Sequence, residues 1–352
     1  MHIDIELSII IPLYNCEKYF RRTLECLRGQ GVFDAEKMRA EVIMVNDGST
    51  DATLALAEDA ANEYPQIRIF SQPNSGQHIA RNLGIDNARG KYVYMMDNDD
   101  VIVDGALRYA LDKAEEYDID VVHFDYSYVT EEELNNSRRN PVKESAVKFN
   151  GSGYDYIEYT NGIGFHYGLW TYIIRRDFLD SHKLRFPEAV RWGEDYAFVW
   201  SLFLRNPSTL YLDFVGYYWI RHESSDSHKA QTDYAHRKAR KLCCHDLALF
   251  FRREQEALSD KLPANINERV KYLPWIQAFA YWGMLLRCGI EDYDKEVGRT
   301  MGAQIDAGIY PIPFRFPSAK FYDMRGLKFR LMWHIISTPI LLKSILKYRR
   351  SK

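Results

Sequence analysis

Cysteine is scarce: five in 352 residues, Cys16, Cys26, Cys243, Cys244 and Cys288. The number is odd and no Cys-x-x-Cys pair occurs, so neither a disulfide framework nor a zinc site is supported, and a reducing, cytosolic setting fits best. A surplus of one charge is also missing. Lys and Arg number 46 against 49 Asp and Glu, a net charge of −3, which argues against a nucleic-acid partner. No apolar run approaches the ~18 residues of a spanning helix, and the opening "MHIDIELSII" lacks the basic, apolar and cleavage regions of a secretory leader. Internal repeats at solenoid periods are absent as well.

What is present is length for one large α/β domain with an appendage and a high aromatic content, 14% with 25 Tyr. Tyr and Trp suit grooves that grip ring-shaped ligands. Over the first 130 residues, apolar runs alternate with helical patterns. The strands are "LSIIIPLY", "AEVIMVND", "IRIFSQ", "YVYMMDN" and "DVVHFDYSY". The helices run over Cys16 to Gly29, Thr53 to Tyr64, Ile79 to Ala88 and Asp104 to Tyr117. This alternation predicts an open, mostly parallel sheet with flanking helices, in which ligands gather beyond the carboxyl ends of the strands. Residues 131–165 read as a polar excursion. "GLWTYIIRRDFL" predicts a strand entering a helix, "STLYLDF" and "VGYYWIRH" two further strands, and the chain beyond Tyr234 helices broken by prolines.

Polar clusters fall at the predicted strand ends. In "DNDD", Asp97 and Asp99 share one side of an extended segment and are of the kind that holds Mg²⁺ or Mn²⁺ together with phosphate oxygens; turn formation is the plainer use of such residues. In "VNDGSTD", helix capping accounts for Ser49, Thr50 or Asp51 and leaves Asp47 to accept from a base or ribose. In "NSGQHIARNLGI", Arg81 suits diphosphate oxygens and Asn82 could brace the acid loop. In "WGEDYAF", Glu194 and Asp195 open a helix, where they complement its dipole or supply a general base. Trp170 is a further candidate. His222 and His228, after the last strand, could lie over the diphosphate or metal, although a lone His is more often structural.

Together these clusters resemble, over about residues 7 to 225, the inverting nucleotide-sugar glycosyltransferases with the GT-A fold, commonly called family 2. The resemblance implies that Pro12 and Tyr14 of "IIPLYN" and Asp47 lie by the nucleobase, uracil being favoured, with Asn15 also among the donor-binding residues. It also implies Asp97 near the ribose or diphosphate, Arg81 and Asn98 among the donor-binding residues, Asp99 on a divalent metal, and Asp195 as the base. Family members more often carry two acids where this chain has Asn46 and Asp47. The implied domains are a catalytic one over 1–228, with 131–190 as a variable acceptor side, and a helical region over 229–352. The implied reaction moves a sugar from a nucleotide diphosphate to a saccharide or lipid-linked saccharide. A sugar nucleotidyltransferase would want a glycine-rich basic loop after the first strand, and "PLYNCEKYF" is not one. A non-catalytic nucleotide-sugar-binding protein is the other alternative. Finally, residues 320–352 carry nine Lys or Arg against one acid, Asp323; basic flanks around "WHIISTPILL" suit peripheral contact with an anionic membrane at the cytoplasmic face, or simply helix packing.

Overall fold

The computed structural model describes residues 5–137, 142, 144–160, 168–220, 243–270 and 273. The chain divides into two compact units, Met1–Tyr159 with Phe165–His228, and Thr160–Gly164 with Lys229–Lys352.

The first unit opens with β1 (Leu7–Leu13), α1 (Glu17–Gly29), β2 (Ala40–Asp47), α2 (Thr53–Glu63), β3 (Ile67–Gln72), α3 (Gln77–Asn87) and β4 (Tyr92–Met95). Every residue of β1 and β2 is buried, as befits parallel strands covered on both faces. β5 (Val101–Ile102) and α4 (Ala106–Glu116) follow, then β6 (Val121–Val129), α5 (Glu131–Ser137), β7 (Val147–Ser152) and α6 (Gly153–Tyr159). A short 3₁₀ turn at Leu169–Thr171 leads to β8 (Tyr172–Arg175), α7 (Arg176–Ser181), α8 (Glu194–Phe203) and β9 (Ser208–Ile220).

Among the described residues the sheet has nine strands in the order β3-β2-β1-β4-β8-β6-β9-β5, with β7 also on β9. The half built from β3, β2, β1 and β4 is parallel throughout. The other half departs from the expected mostly parallel sheet: β8 runs antiparallel to β4 and β6, β5 and β7 antiparallel to β9, and only β6 and β9 pair in parallel. The fold is therefore a mixed open α/β sheet.

Two local expectations change. The excursion at 131–165 contains α5, β7 and α6. The two strands expected near the end of the unit are one long strand, β9, which bulges where Phe124 pairs with Leu212, Asp125 with Val215 and Tyr126 with Tyr217. The surplus residues kink the strand without ending it. Its first half pairs with β7 and its second with β5.

Helix α3, which carries Arg81, is pressed onto β1 by small residues. A methyl group at Gly84 would collide with the Ile10 side chain. Gly84→Ala is therefore expected to lower stability. Overpacking costs about 1–3 kcal/mol, against roughly 1 kcal/mol of helix propensity gained; the net loss should appear as a reduced midpoint in urea unfolding.

In the second unit the described helices are α9 (Cys244–Leu258) and α10 (Ala264–Val270). The basic tail 320–352, His222 and His228 lie outside the described residues. Among the described residues no helix is long and apolar enough to cross a membrane.

Candidate active site

The loops after β1 and β2 are built as one piece. Asn15, at φ 47, accepts the Thr50 N–H at Oδ1 (2.8 Å) and donates its own N–H to Ser49 Oγ (3.1 Å). Glu17 and Asp51 exchange bonds in the same way: Ala52 N–H donates to Glu17 at 2.9 Å and Glu17 N–H to Asp51 at 3.3 Å. Asp51 also accepts from Thr53 N–H at 3.0 Å, so it alone of the three expected capping residues serves the start of α2. Asn15 is thereby a brace between loops. The ring of Tyr14 beside it is 50% exposed.

Asp47, 3% exposed, is already engaged. Gln72 Nε2 and the Ser75 N–H both donate to its Oδ1 at 2.8 Å, and the Gly76 N–H to its Oδ2 at 2.9 Å. Gly76 adopts φ 98 and caps α3, so this carboxylate fixes the entry to the helix that bears Arg81.

Between β4 and β5, the four residues Asp97 to Asp100 divide their tasks. Asp100 turns inward, 2% exposed, accepting the Tyr217 hydroxyl at 2.9 Å and the Ile220 N–H at 2.8 Å. Burial first, then the charges of Asp99 and Asp97, push its carboxyl well above the usual carboxylate range. Asn98 donates to the Pro12 carbonyl at 2.9 Å, joining this loop to the end of β1. From α1, Thr23 donates to the Asn98 carbonyl at 2.8 Å, and Arg22 to the Asp99 carbonyl while its other nitrogen grips Glu131 of α5 at 2.7 and 2.9 Å. Two backbone carbonyls of the acid loop are thus held from below. Asp97 and Asp99 are half-buried.

Arg81 joins this loop to α8. It is 1% exposed and donates to Asp97 at 2.6 Å and Asp195 at 2.8 Å, with Glu194 at 3.9 Å. Its ring neighbour is Phe186, 5.6 Å from the centroid. Gly193, at φ 82, turns the chain into α8. Glu194, 5% exposed, accepts from Gln77 Nε2 at 2.6 Å. A guanidinium so enclosed is committed to carboxylates from two elements, the acid loop and α8, an arrangement unlike an arginine standing open to a diphosphate.

One buried cation faces Asp97, Glu194 and Asp195, so negative charge is in excess. Asp195 responds most: burial, opposed by Arg81 and reinforced by Glu194 and Asp97, pushes its carboxyl up to about 8. Burial likewise raises Asp97, with Arg81 pulling the other way. Raised acids of this sort are suited to proton transfer near neutral pH.

Among the described residues no three His, Cys, Asp or Glu side chains converge as a preformed ion cage. The donor set nonetheless fits Mg²⁺ or Mn²⁺. Such ions take one or two carboxylates and complete their shell with water and substrate phosphate, and Asp99 with Asp97 offers that pair where a single arginine leaves the acids under-neutralised.

Other expected residues have different work. Asn82 donates to the Phe186 carbonyl at 2.9 Å and accepts the Phe186 N–H at 2.8 Å. It therefore steadies the segment leading to Glu194 and Asp195, rather than the acid loop. Trp170 is buried, stacked on Tyr217 at 4.3 Å, and its carbonyl accepts the Tyr94 hydroxyl at 2.8 Å. Gln77, Arg22, Thr23 and Tyr217 were not anticipated. Gln77 lies four residues before Arg81 on α3, the spacing of one helix face, and that repeat was the available signal.

Residues 8–181 match the profile described as "Glycosyl transferase family 2". The chain is 30% identical over 196 residues to "Uncharacterized glycosyltransferase EpsJ" of Bacillus subtilis, covering 56% of this chain and 55% of that protein. To "Minor teichoic acid biosynthesis protein GgaA" of the same organism it is 33% identical over 204 residues, 56% of this chain and 43% of the other. The chain spans about half the length of the curated relatives it matches. In fold it is similar to S. aureus TarS 1-349 in complex with UDP-GlcNAc, with a TM-score of 0.64 at 20% identity over 99% of this chain and 93% of that one.

Proposed function

Through residues 8–181 the chain belongs to glycosyl transferase family 2, and on that premise we propose that it moves a sugar from a nucleotide diphosphate, a UDP-sugar, to a hydroxyl of a glycan or lipid-linked saccharide, with inversion. The observation that carries this reading is the buried guanidinium of Arg81, bonded on one side to Asp97 and on the other to Asp195. It holds an acid suited to the donor phosphates and an acid suited to the acceptor in one rigid frame.

The chemistry follows from that frame. Tyr14 offers its exposed ring to the base, and Asp47 lies at the end of the neighbouring strand. Asp99 and Asp97 would hold the ion against the diphosphate. When bound, a divalent cation neutralises charge gathering on the departing group. On the opposite side, Asp195 takes the proton of the acceptor hydroxyl as its oxygen bonds to the anomeric carbon and the bond to the diphosphate breaks. The sugar passes through an oxocarbenium-like state, and attack from the face opposite the leaving group inverts its configuration. Glu194, tied to Gln77 and farther from the guanidinium, keeps Arg81 charged and aligned.

GgaA carries teichoic acid biosynthesis in its name, and a polymer-building role of that general kind suits this chain. The basic tail 320–352 would then bring the site to an anionic membrane at the cytoplasmic face, where a lipid-linked acceptor resides.

Asp99→Ala tests the donor half. Calorimetric titration with UDP should show Mn²⁺-enhanced binding in the wild type and none of that enhancement in the variant, with thermal stability retained. Undiminished Mn²⁺-dependent binding would remove Asp99 from the site.

A further inference from the structure

We propose that the open end of an aromatic row on β6 and β9, Tyr128 with Trp219, is a subsite for a pyranose ring of the acceptor. The choice of a sugar as occupant and the name acceptor both rest on the glycosyl-transfer reading above; the exposed ring pair itself does not.

The row follows from strand geometry. β6 and β9 are parallel and in register at Tyr126 with Tyr217 and at Tyr128 with Trp219. Residues two apart share a face, so all four rings stand on one side of the sheet. At the inner end Tyr217 is buried and stacked on Trp170, with planes 9° apart. Farther out, Tyr126 lies edge-on to Tyr128 at 5.3 Å. At the outer end Tyr128 and Trp219 approach to 4.7 Å with planes tilted by 32°. Tyr128 is 53% exposed and Trp219 half-buried. Core packing explains Tyr217 and Trp170. It does not explain two large rings held side by side with Tyr128 half in water.

The occupant is indicated by what the row adjoins. Trp219 sits between Tyr217 and Ile220, and both of those bond Asp100 of the acid loop. Tyr217 also accepts the Asp97 N–H at 3.4 Å. From the other strand, Glu131 just beyond β6 is tied through Arg22 to the Asp99 carbonyl. The ring pair is therefore anchored from both strands to the loop assigned to the donor. A pyranose has one face of C–H bonds and a rim of hydroxyls, so it can lie on the rings by its apolar face while its hydroxyls stay in water. The Tyr128 hydroxyl gives that pair a polar edge.

Saturation-transfer NMR on the full chain, with cellobiose, lactose and N,N′-diacetylchitobiose as probes, tests this directly. Ring C–H protons of at least one probe should receive saturation from the wild type. Tyr128→Ala is expected to weaken that binding about tenfold, the scale of one lost ring stack, and Tyr128→Phe to keep most of it. Trp219→Phe preserves the packing and should weaken it less than Tyr128→Ala. UDP titration of the same samples should be unchanged in all variants. No saturation transfer from a wild type that binds UDP would overturn the proposal, as would equal transfer in Tyr128→Ala. Self-association that Tyr128→Ala abolishes, without any sugar signal, would reassign the rings to a protein interface. Sugar signals that respond to Tyr128→Ala in a protein indifferent to UDP would uphold the ring subsite and remove the glycosyl-transfer reading instead.

Discussion

Asp195→Asn is expected to lower the transfer rate by about 10²-fold or more, the scale of a lost general base, with UDP affinity retained. The amide keeps the shape and still accepts a hydrogen bond from Arg81, so the frame survives while the proton acceptor is lost. The pH dependence sharpens the test. With its carboxyl pushed up to about 8, Asp195 is largely protonated at lower pH, and kcat/KM should rise with pH up to about that value and then level. The variant should lack this limb. Stability has the opposite sign. A carboxyl whose pKa is raised on folding contributes stability that is full below the unfolded value of about 4 and is lost as pH rises through about 8. Urea unfolding at increasing pH should therefore show the wild type losing stability that Asp195→Asn retains. Glu194→Gln should reduce transfer less, because its carboxylate is committed to Gln77. A reversal of the two effects would exchange their roles.

Arg81→Ala is expected to be the most damaging substitution to the fold. It strips the buried counter-charge from Asp97 and Asp195 at once, and leaving buried charge unpaired costs about 3–5 kcal/mol. The loss should be greatest at alkaline pH, where all the carboxyls must ionise, and smallest near pH 4, where protons substitute for the missing cation. Arg81→Lys should recover part of it, since one ammonium cannot span both carboxylates as a planar guanidinium does. Equal stability of Arg81→Ala and wild type at pH 8 would show that the acids do not depend on Arg81.

Much of this arrangement was legible because strand ends are local. "VNDG" and "DNDD" each put acids directly after an apolar run, and the parallel half of the sheet followed from the alternation of runs. The mixed half was harder. β6 and β9 stood out as apolar runs, but β5 has only two residues, β8 four, and β7 reads as polar. Two signals were nonetheless available at 131–165. Thr130 and Glu133 bond each other's N–H groups, as do Ser152 and Asp155; these are capping boxes, and they mark the starts of α5 and α6. The division of labour among Asp97, Asp99 and Asp100 had no such signal. Which of three neighbouring carboxylates turns inward depends on Tyr217 and Ile220, more than a hundred residues away, and no local period encodes that meeting. Arg81 is similar: its helix predicts a buried face, while its partners on α8 come from the tertiary fold.

The long β9 strand also bears on how the protein folds. Its inner half closes onto β6 across a large sequence separation, and Ile220 at its far end bonds Asp100 across 120 positions. The Arg81–Asp195 and Gln77–Glu194 bonds span 114 and 117. Contacts so distant in sequence must wait for loop closures that local βα units do not require, which slows folding. The parallel half, β1 to β4, can form early from near neighbours, and its ligand-facing loops with it. The Asp97–Arg81–Asp195 frame instead awaits the arrival of α8 and β9, so the loops after β1 and β2 can be in place in a nascent chain before the acid loop and α8 are fixed.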